Sequence, residues 1–172
     1  MDGKIHKYYT LLEQWMQYFG YANLNINEGV NQDVDKVFRK SEFAATRFGQ
    51  VDTYCCAKYM NEGSTGNELQ VFSVKMYDLA FRHRQGLPLG LGAMLVVYPL
   101  LITENISGEL AEFIKHFSPK HFGAAEFPSV LDLSTGYLYY YPKTPVWGSA
   151  YYASYRKDVL RFFSPLVWQE FK

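Results

Sequence analysis

Lys120, His121 and Glu126 lie in one short segment that follows Pro119 and precedes an apolar stretch. A lysine, an imidazole and a carboxylate entering one end of a sheet can hold a proton-transfer pair or bind a small polar or anionic ligand. Two distant residues are expected beside them. Residues 129–133 and 137–141 read as a hairpin over Ser134-Thr135-Gly136, so its two arms lead back to the same end of the sheet. Lys143, just past the second arm, and Trp147, between Pro145 and Gly148, therefore belong near Glu126. The site expected from the sequence is Lys120, His121, Glu126, Lys143 and Trp147, with Trp147 as an aromatic wall. The ordinary alternative is a surface Lys–Glu pair, with Trp147 filling the core.

Other residues invite chemistry more weakly. Arg82-His83-Arg84 ends a helical stretch, where cations complement the negative end of the helix dipole; an anion site is the alternative. The run Gly86-Leu87-Pro88-Leu89-Gly90-Leu91-Gly92 has a phosphate loop's glycines in the wrong order, after a helix and before a strand. Asp132 interrupts an apolar strand beside Ser134-Thr135-Gly136, which suits a carboxylate accepting turn amides. Asp52 and Lys58 invite comparison with the magnesium site of restriction nucleases, which needs a carboxylate followed by an acidic-x-Lys triplet. The triplet here is Cys56-Ala57-Lys58, with cysteine where the second carboxylate should stand. His6, His83, His116 and His121 fit no zinc spacing with Cys55 and Cys56, so no metal is expected. No pattern implies a cofactor, and no serine sits in a nucleophile elbow.

Composition narrows the partners. Seventeen basic and seventeen acidic residues cancel, with ten of each before Gly86 and seven of each after it. Neither half offers the basic surface that phosphate neutralisation requires, so nucleic acid is not expected as a partner. The aromatic content, 18%, is high. Tyrosine and tryptophan favour interfaces as well as cores, so a homodimer or a protein partner is expected. No apolar run is long enough to cross a bilayer, and Met1-Asp2-Gly3-Lys4 lacks the apolar segment of a secretion signal. Adjacent Cys55 and Cys56 are read as thiols in a strand, in a reducing cytoplasm.

The elements follow from periodicity. Helical spacing runs over 4–19, ended by Gly20; Thr65-x-x-Glu68 opens a second helix that lasts to about Arg84. Ser107 caps a third, and a fourth spans 149–163 before Pro165. Strands are expected at 40–47, 51–60 and 93–102 and in the hairpin. The order α-β-β-α-β-α-β-β-α predicts a single α+β domain over residues 1–172, with a mixed sheet of about five strands and about four helices. The function expected is that of a small binding protein that self-associates. The alternative is a hydrolase or nuclease-like enzyme using Asp52, Lys58, Lys120, His121, Glu126 and Asp132. Convergence of three or more of those six groups in one cleft favours the enzyme; scatter favours binding.

Overall fold

Eleven residues, Ala93–Thr103, form a strand with apolar side chains on both faces, and the other elements are arranged to cover it. The computed structural model describes residues 3–25, 33–44, 49–60, 64–145 and 149–168. Its elements run α1 (Gly3–Tyr18), β1 (Ala22–Asn23), β2 (Lys36–Ala44), β3 (Gly49–Tyr59), α2 (Gly66–His83), β4 (Ala93–Thr103) and α3 (Gly108–Ile114). They continue with β5 (Ala124–Glu126), β6 (Ser129–Asp132), β7 (Leu138–Tyr140), α4 (Ser149–Phe163) and α5 (Pro165–Trp168). The sheet order is β1-β2-β3-β4-β6-β7, with β5 also on β4. β3, β4, β5 and β6 are parallel, and β1–β2, β2–β3 and β6–β7 pair antiparallel.

Parallel neighbours need crossovers, and α2 and α3 supply them. Both helices pack on one face of the sheet, over Tyr54, Cys56, Leu95, Val97 and Leu101. The other face carries Cys55, Val96, Tyr98, Leu100 and Ile102, and α1, α4 and α5 cover it. The helix ends are set by local chemistry. Thr65 Oγ1 accepts from the Glu68 amide and the Glu68 carboxylate accepts from the Thr65 amide, closing the capping box. Ser107 caps α3 through the Leu110 amide.

β5 and β6 occupy one strand position. Leu95 pairs with Ala124 and Leu100 with Ser129, in unbroken register. The Leu95 amide faces this strand, donating to Gly123 O at 3.4 Å, so the odd-numbered amides of β4 point that way. Pro99 has no amide to give, and its register partner is Pro128. A gap in the ladder therefore separates β5 from β6.

The aromatic excess has a structural destination. Tyr8, Tyr9, Tyr21, Phe38, Tyr98, Phe127, Tyr155, Phe162, Phe163 and Trp168 are buried together between the sheet and α1, α4 and α5. Three of these tyrosines place the hydroxyl on an acceptor: Tyr8 donates to Phe163 O, Tyr9 to Asp35 and Tyr98 to Asp158. Trp15 and Trp168 both donate their indole N–H to Arg161 O, which ties α1 and α5 to the last turn of α4.

The α+β class and mixed sheet agree with the sequence, but the described residues form seven strands and five helices rather than about five and four. The additions are short. β1 lies in a polar stretch, β5 precedes the proline gap, and α5 is one turn begun by Pro165. β2 also starts earlier than expected, at Lys36. Among the described residues, no helix is long and apolar enough to cross a membrane.

Cys55 and Cys56 are free and fully buried, one in each layer. Burial pushes both thiols well above their usual pKa. A thiol reagent is expected to titrate neither in the native protein over minutes, and both after unfolding in guanidinium chloride. Fast labelling of either native thiol would contradict this burial.

Candidate functional site

A carboxylate excluded from water needs hydrogen-bond partners, and Glu126 shows how this fold supplies them. Glu126 ends β5 with its side chain 1% exposed. It pairs with Val97, so it points to the α2 face of the sheet. There Ser73, on the buried stripe of α2, donates its hydroxyl to Oε1. His121, in the loop before β5, contacts Oε2 through Nε2 at 2.5 Å. The imidazole lies flat on Tyr77, ring centroids 3.7 Å apart and planes within 8°. Tyr77 is one helical turn beyond Ser73, so a single face of α2 fixes both the carboxylate and the imidazole. Burial, with the Glu126 charge nearby, raises the Tyr77 hydroxyl pKa.

An ionised Glu126 accepts from Nε2–H, and Nδ1 makes no hydrogen bond to a described residue. His121 and Glu126 border a cavity of about 380 Å³ at the N-terminal end of β4 and β5. Much of the lining is small, from Gly90, Gly92, Ala93, Gly123, Ala124 and Ala125, with Met94 and Pro119 beside them. Tyr151, Tyr152 and Tyr155, at the start of α4, also line it. Tyr151 stacks on Tyr155, Tyr152 meets Tyr155 edge-on, and the Tyr152 hydroxyl is bonded to Ser118 Oγ at 2.8 Å. The glycine wall is held by close backbone approach. Gly123 has φ +68°, and a Cβ there would stand 2.9 Å from the Gly90 nitrogen.

Of the site expected from the sequence, His121 and Glu126 meet at this cavity. Lys120 and Lys143 are exposed and do not line it; the Lys143 carbonyl accepts from Arg156. Trp147 lies outside the described residues. Arg82, His83 and Arg84, the alternative anion site, each contact a backbone carbonyl. Arg82 donates to Asp78 O, the His83 ring sits on Leu79 O, and Arg84 donates to Leu87 O. Each satisfies a carbonyl at the helix end or in the turn after it.

Asp52 is buried and paired with Arg39, and it also accepts from the Gln85 amide. It fastens the end of α2 to the sheet. Lys58 lies six residues along the same strand, about 20 Å away at 3.3 Å per residue. Asp132 serves its turn: Oδ1 accepts from the Ser134 amide and hydroxyl and from the Thr135 amide. It too is about 20 Å along the strand from Glu126. Among the described residues, no three His, Cys, Asp or Glu side chains gather as metal ligands.

Sequence reasoning missed Ser73, Tyr77 and the α4 tyrosines. Ser73 left a signal, as a hydroxyl four residues after Leu69 in an apolar stripe. Tyr151, Tyr152 and Tyr155 left the i, i+1, i+4 spacing of one helix face. Comparison with family models, curated proteins and solved structures gave no match.

Asp132 generates a stability prediction. Burial raises its pKa, but hydrogen bonds from Ser134, Thr135 and Ile106 outweigh that and hold the carboxyl below its usual value. A depressed carboxylate pKa contributes stability above its unfolded value and loses it as pH falls through the folded value. Asp132→Ala is expected to cost about 1–3 kcal/mol at neutral pH by urea unfolding. The difference from wild type should shrink below about pH 4.

Proposed function

We propose that this protein is a binding domain for a small polar ligand, held in the cavity beside His121. The observation that carries this reading is the Ser73–Glu126–His121 chain, which fixes an imidazole at the mouth of a tyrosine-walled cavity. An imidazole held by a buried carboxylate and an aromatic face loses little freedom when it engages a ligand. Its volume falls within the range of small-molecule sites.

Binding is favoured over hydrolysis by the placement of the charged groups. Of Asp52, Lys58, Lys120, His121, Glu126 and Asp132, only His121 and Glu126 come together. Ser73 donates to the carboxylate rather than to the imidazole, so it is not activated as a nucleophile.

Self-association belongs to the same proposal. Phe81, Leu87, Leu91 and Phe122 are exposed, and Phe122 lies over Gly90 at the rim of the cavity. Zero net charge removes long-range repulsion between copies.

Two measurements test this. In a ligand-observed NMR screen of small polar compounds, hits that compete for one site should vanish in His121→Ala, with its melting temperature within a few degrees of wild type. A screen without hits, or hits indifferent to His121→Ala, would remove the cavity as the site. Sedimentation at micromolar concentration should give a dimer that Phe122→Ser weakens; a monomer would end the self-association reading.

A further inference from the structure

We propose that a second cavity, between α4 and the paired end of β2 and start of β3, binds a small uncharged polyhydroxyl compound, a polyol or simple sugar. The two cavities share no lining residue, so this site stands apart from the one beside His121.

The topology brings its polar groups together. Glu42 pairs with Val51 and Lys40 with Thr53 across β2 and β3. Val51 faces the aromatic layer, and Thr53, two residues on, faces the same way. On the other side of the cavity, α4 presents Ser154, Asp158, Arg161 and Phe162 at i, i+4, i+7 and i+8, one helix face. Tyr21, the residue before β1, also lines it. The volume is about 200 Å³, against about 380 Å³ beside His121, so the occupant is small.

Two hydroxyls here lack partners. Tyr21 and Thr53 are each 7% exposed, and neither hydroxyl makes a hydrogen bond to a described residue. A hydroxyl so withdrawn from water calls for a partner. Among the described residues, the fully enclosed side-chain oxygens without a partner belong to Tyr54, Glu104 and Ser129, so the Tyr21 and Thr53 hydroxyls keep an opening. The charges around Tyr21 show which way its ring points. Burial pushes its hydroxyl pKa up, Cys55, Asp158 and Glu42 add to the rise, and Arg161 opposes it. Asp158, Glu42 and Arg161 all line the cavity.

The charges at the site are already matched. Lys40 meets Glu42 at 2.8 Å, and Arg161 meets Asp158 at 3.4 Å. Asp158 also accepts from the Tyr98 hydroxyl. An anion would face two carboxylates, and a cation would face the guanidinium. A zwitterion would have to part Asp158 from Arg161. An uncharged polyol meets none of these costs, and each of its hydroxyls donates and accepts, as those of Tyr21 and Thr53 do. Arg161 is held by the faces of Phe19 and Phe162, 4.7 and 4.9 Å from their centroids, which fixes the guanidinium without using its N–H donors.

Erythritol and xylose test the class on the full chain, with ethanolamine, glycolate and free serine as the cationic, anionic and zwitterionic counterparts. By saturation-transfer NMR, erythritol or xylose should bind in the millimolar range, and the other three at least tenfold more weakly. Tyr21→Phe and Thr53→Val each remove one hydroxyl and keep the shape. Each should weaken the polyol about fivefold, and the double variant should abolish binding. Because neither hydroxyl is bonded within the protein, both single variants should melt within a few degrees of wild type or above it. His121→Ala should leave polyol binding unchanged. A charged or zwitterionic probe binding as tightly as the better polyol would overturn the class. Unchanged affinity in both hydroxyl variants, or a large fall in melting temperature in both, would overturn the role of the hydroxyls. Polyol binding lost in His121→Ala would place it in the other cavity and overturn this site, as would no binding by either polyol.

Discussion

β4 has no face that can be left to water. Leu95, Val97 and Leu101 project one way and Val96, Leu100 and Ile102 the other, all fully buried. Each such side chain contributes about 1.5–3 kcal/mol when withdrawn from solvent. The strand therefore needs a covering layer on both sides and a strand on both edges. Parallel neighbours meet the edges, and the crossovers they demand become the α2–α3 layer. The chain before β2 and after β7 is then left to close the opposite face, and α1, α4 and α5 do so with an aromatic layer. β3 shares this constraint, which is why two adjacent cysteines occur in one strand without forming a pair.

Glu126 stands out against this apolar interior. A buried carboxylate would be costly alone, and each of its oxygens has a partner. The partners come from different parts of the fold, α2 and the loop before β5, so the group links a covering helix to the sheet. One tyrosine of that helix also carries the imidazole. The same contacts that make the charge tolerable thus fix the only imidazole at the cavity among the described residues. Stability and site geometry cannot be separated here, because replacing Glu126 would alter both.

Much of the fold was legible because it depends on local signals. The helical stripe of α1, the capping box at Thr65, Ser107 and the double-faced apolar run of β4 each specify an element without reference to the others. Strands of two or three residues escaped because they carry no periodicity of their own; β1 and β5 exist only through their pairing partners. The site was legible where topology carried it. His121 and Glu126 share a segment, and β7 returns beside β6 as the hairpin reading expected. It was not legible where burial decided: whether Lys120 and Lys143 face inward depends on side-chain direction, which sequence spacing does not give. Asp52 belongs to an ion pair whose partner, Arg39, lies on the neighbouring strand, and spacing along one strand does not reveal such a partner.

The missing amide at Pro99 gives the sheet two unequal halves. Beyond the gap, β6 is hydrogen-bonded to strands on both sides, β4 and β7. Before it, β5 is paired to β4 alone among the described strands, by three residues. The Phe127 amide still donates to Val97 O at 2.9 Å across this stretch. The rest of the hold on Ala124–Glu126 comes from a side chain, the Glu126 carboxylate fastened to Ser73 on α2. The short strand is stitched along one edge by its backbone and pinned through its face by a buried charge, so the position of the cavity wall depends on a single carboxylate.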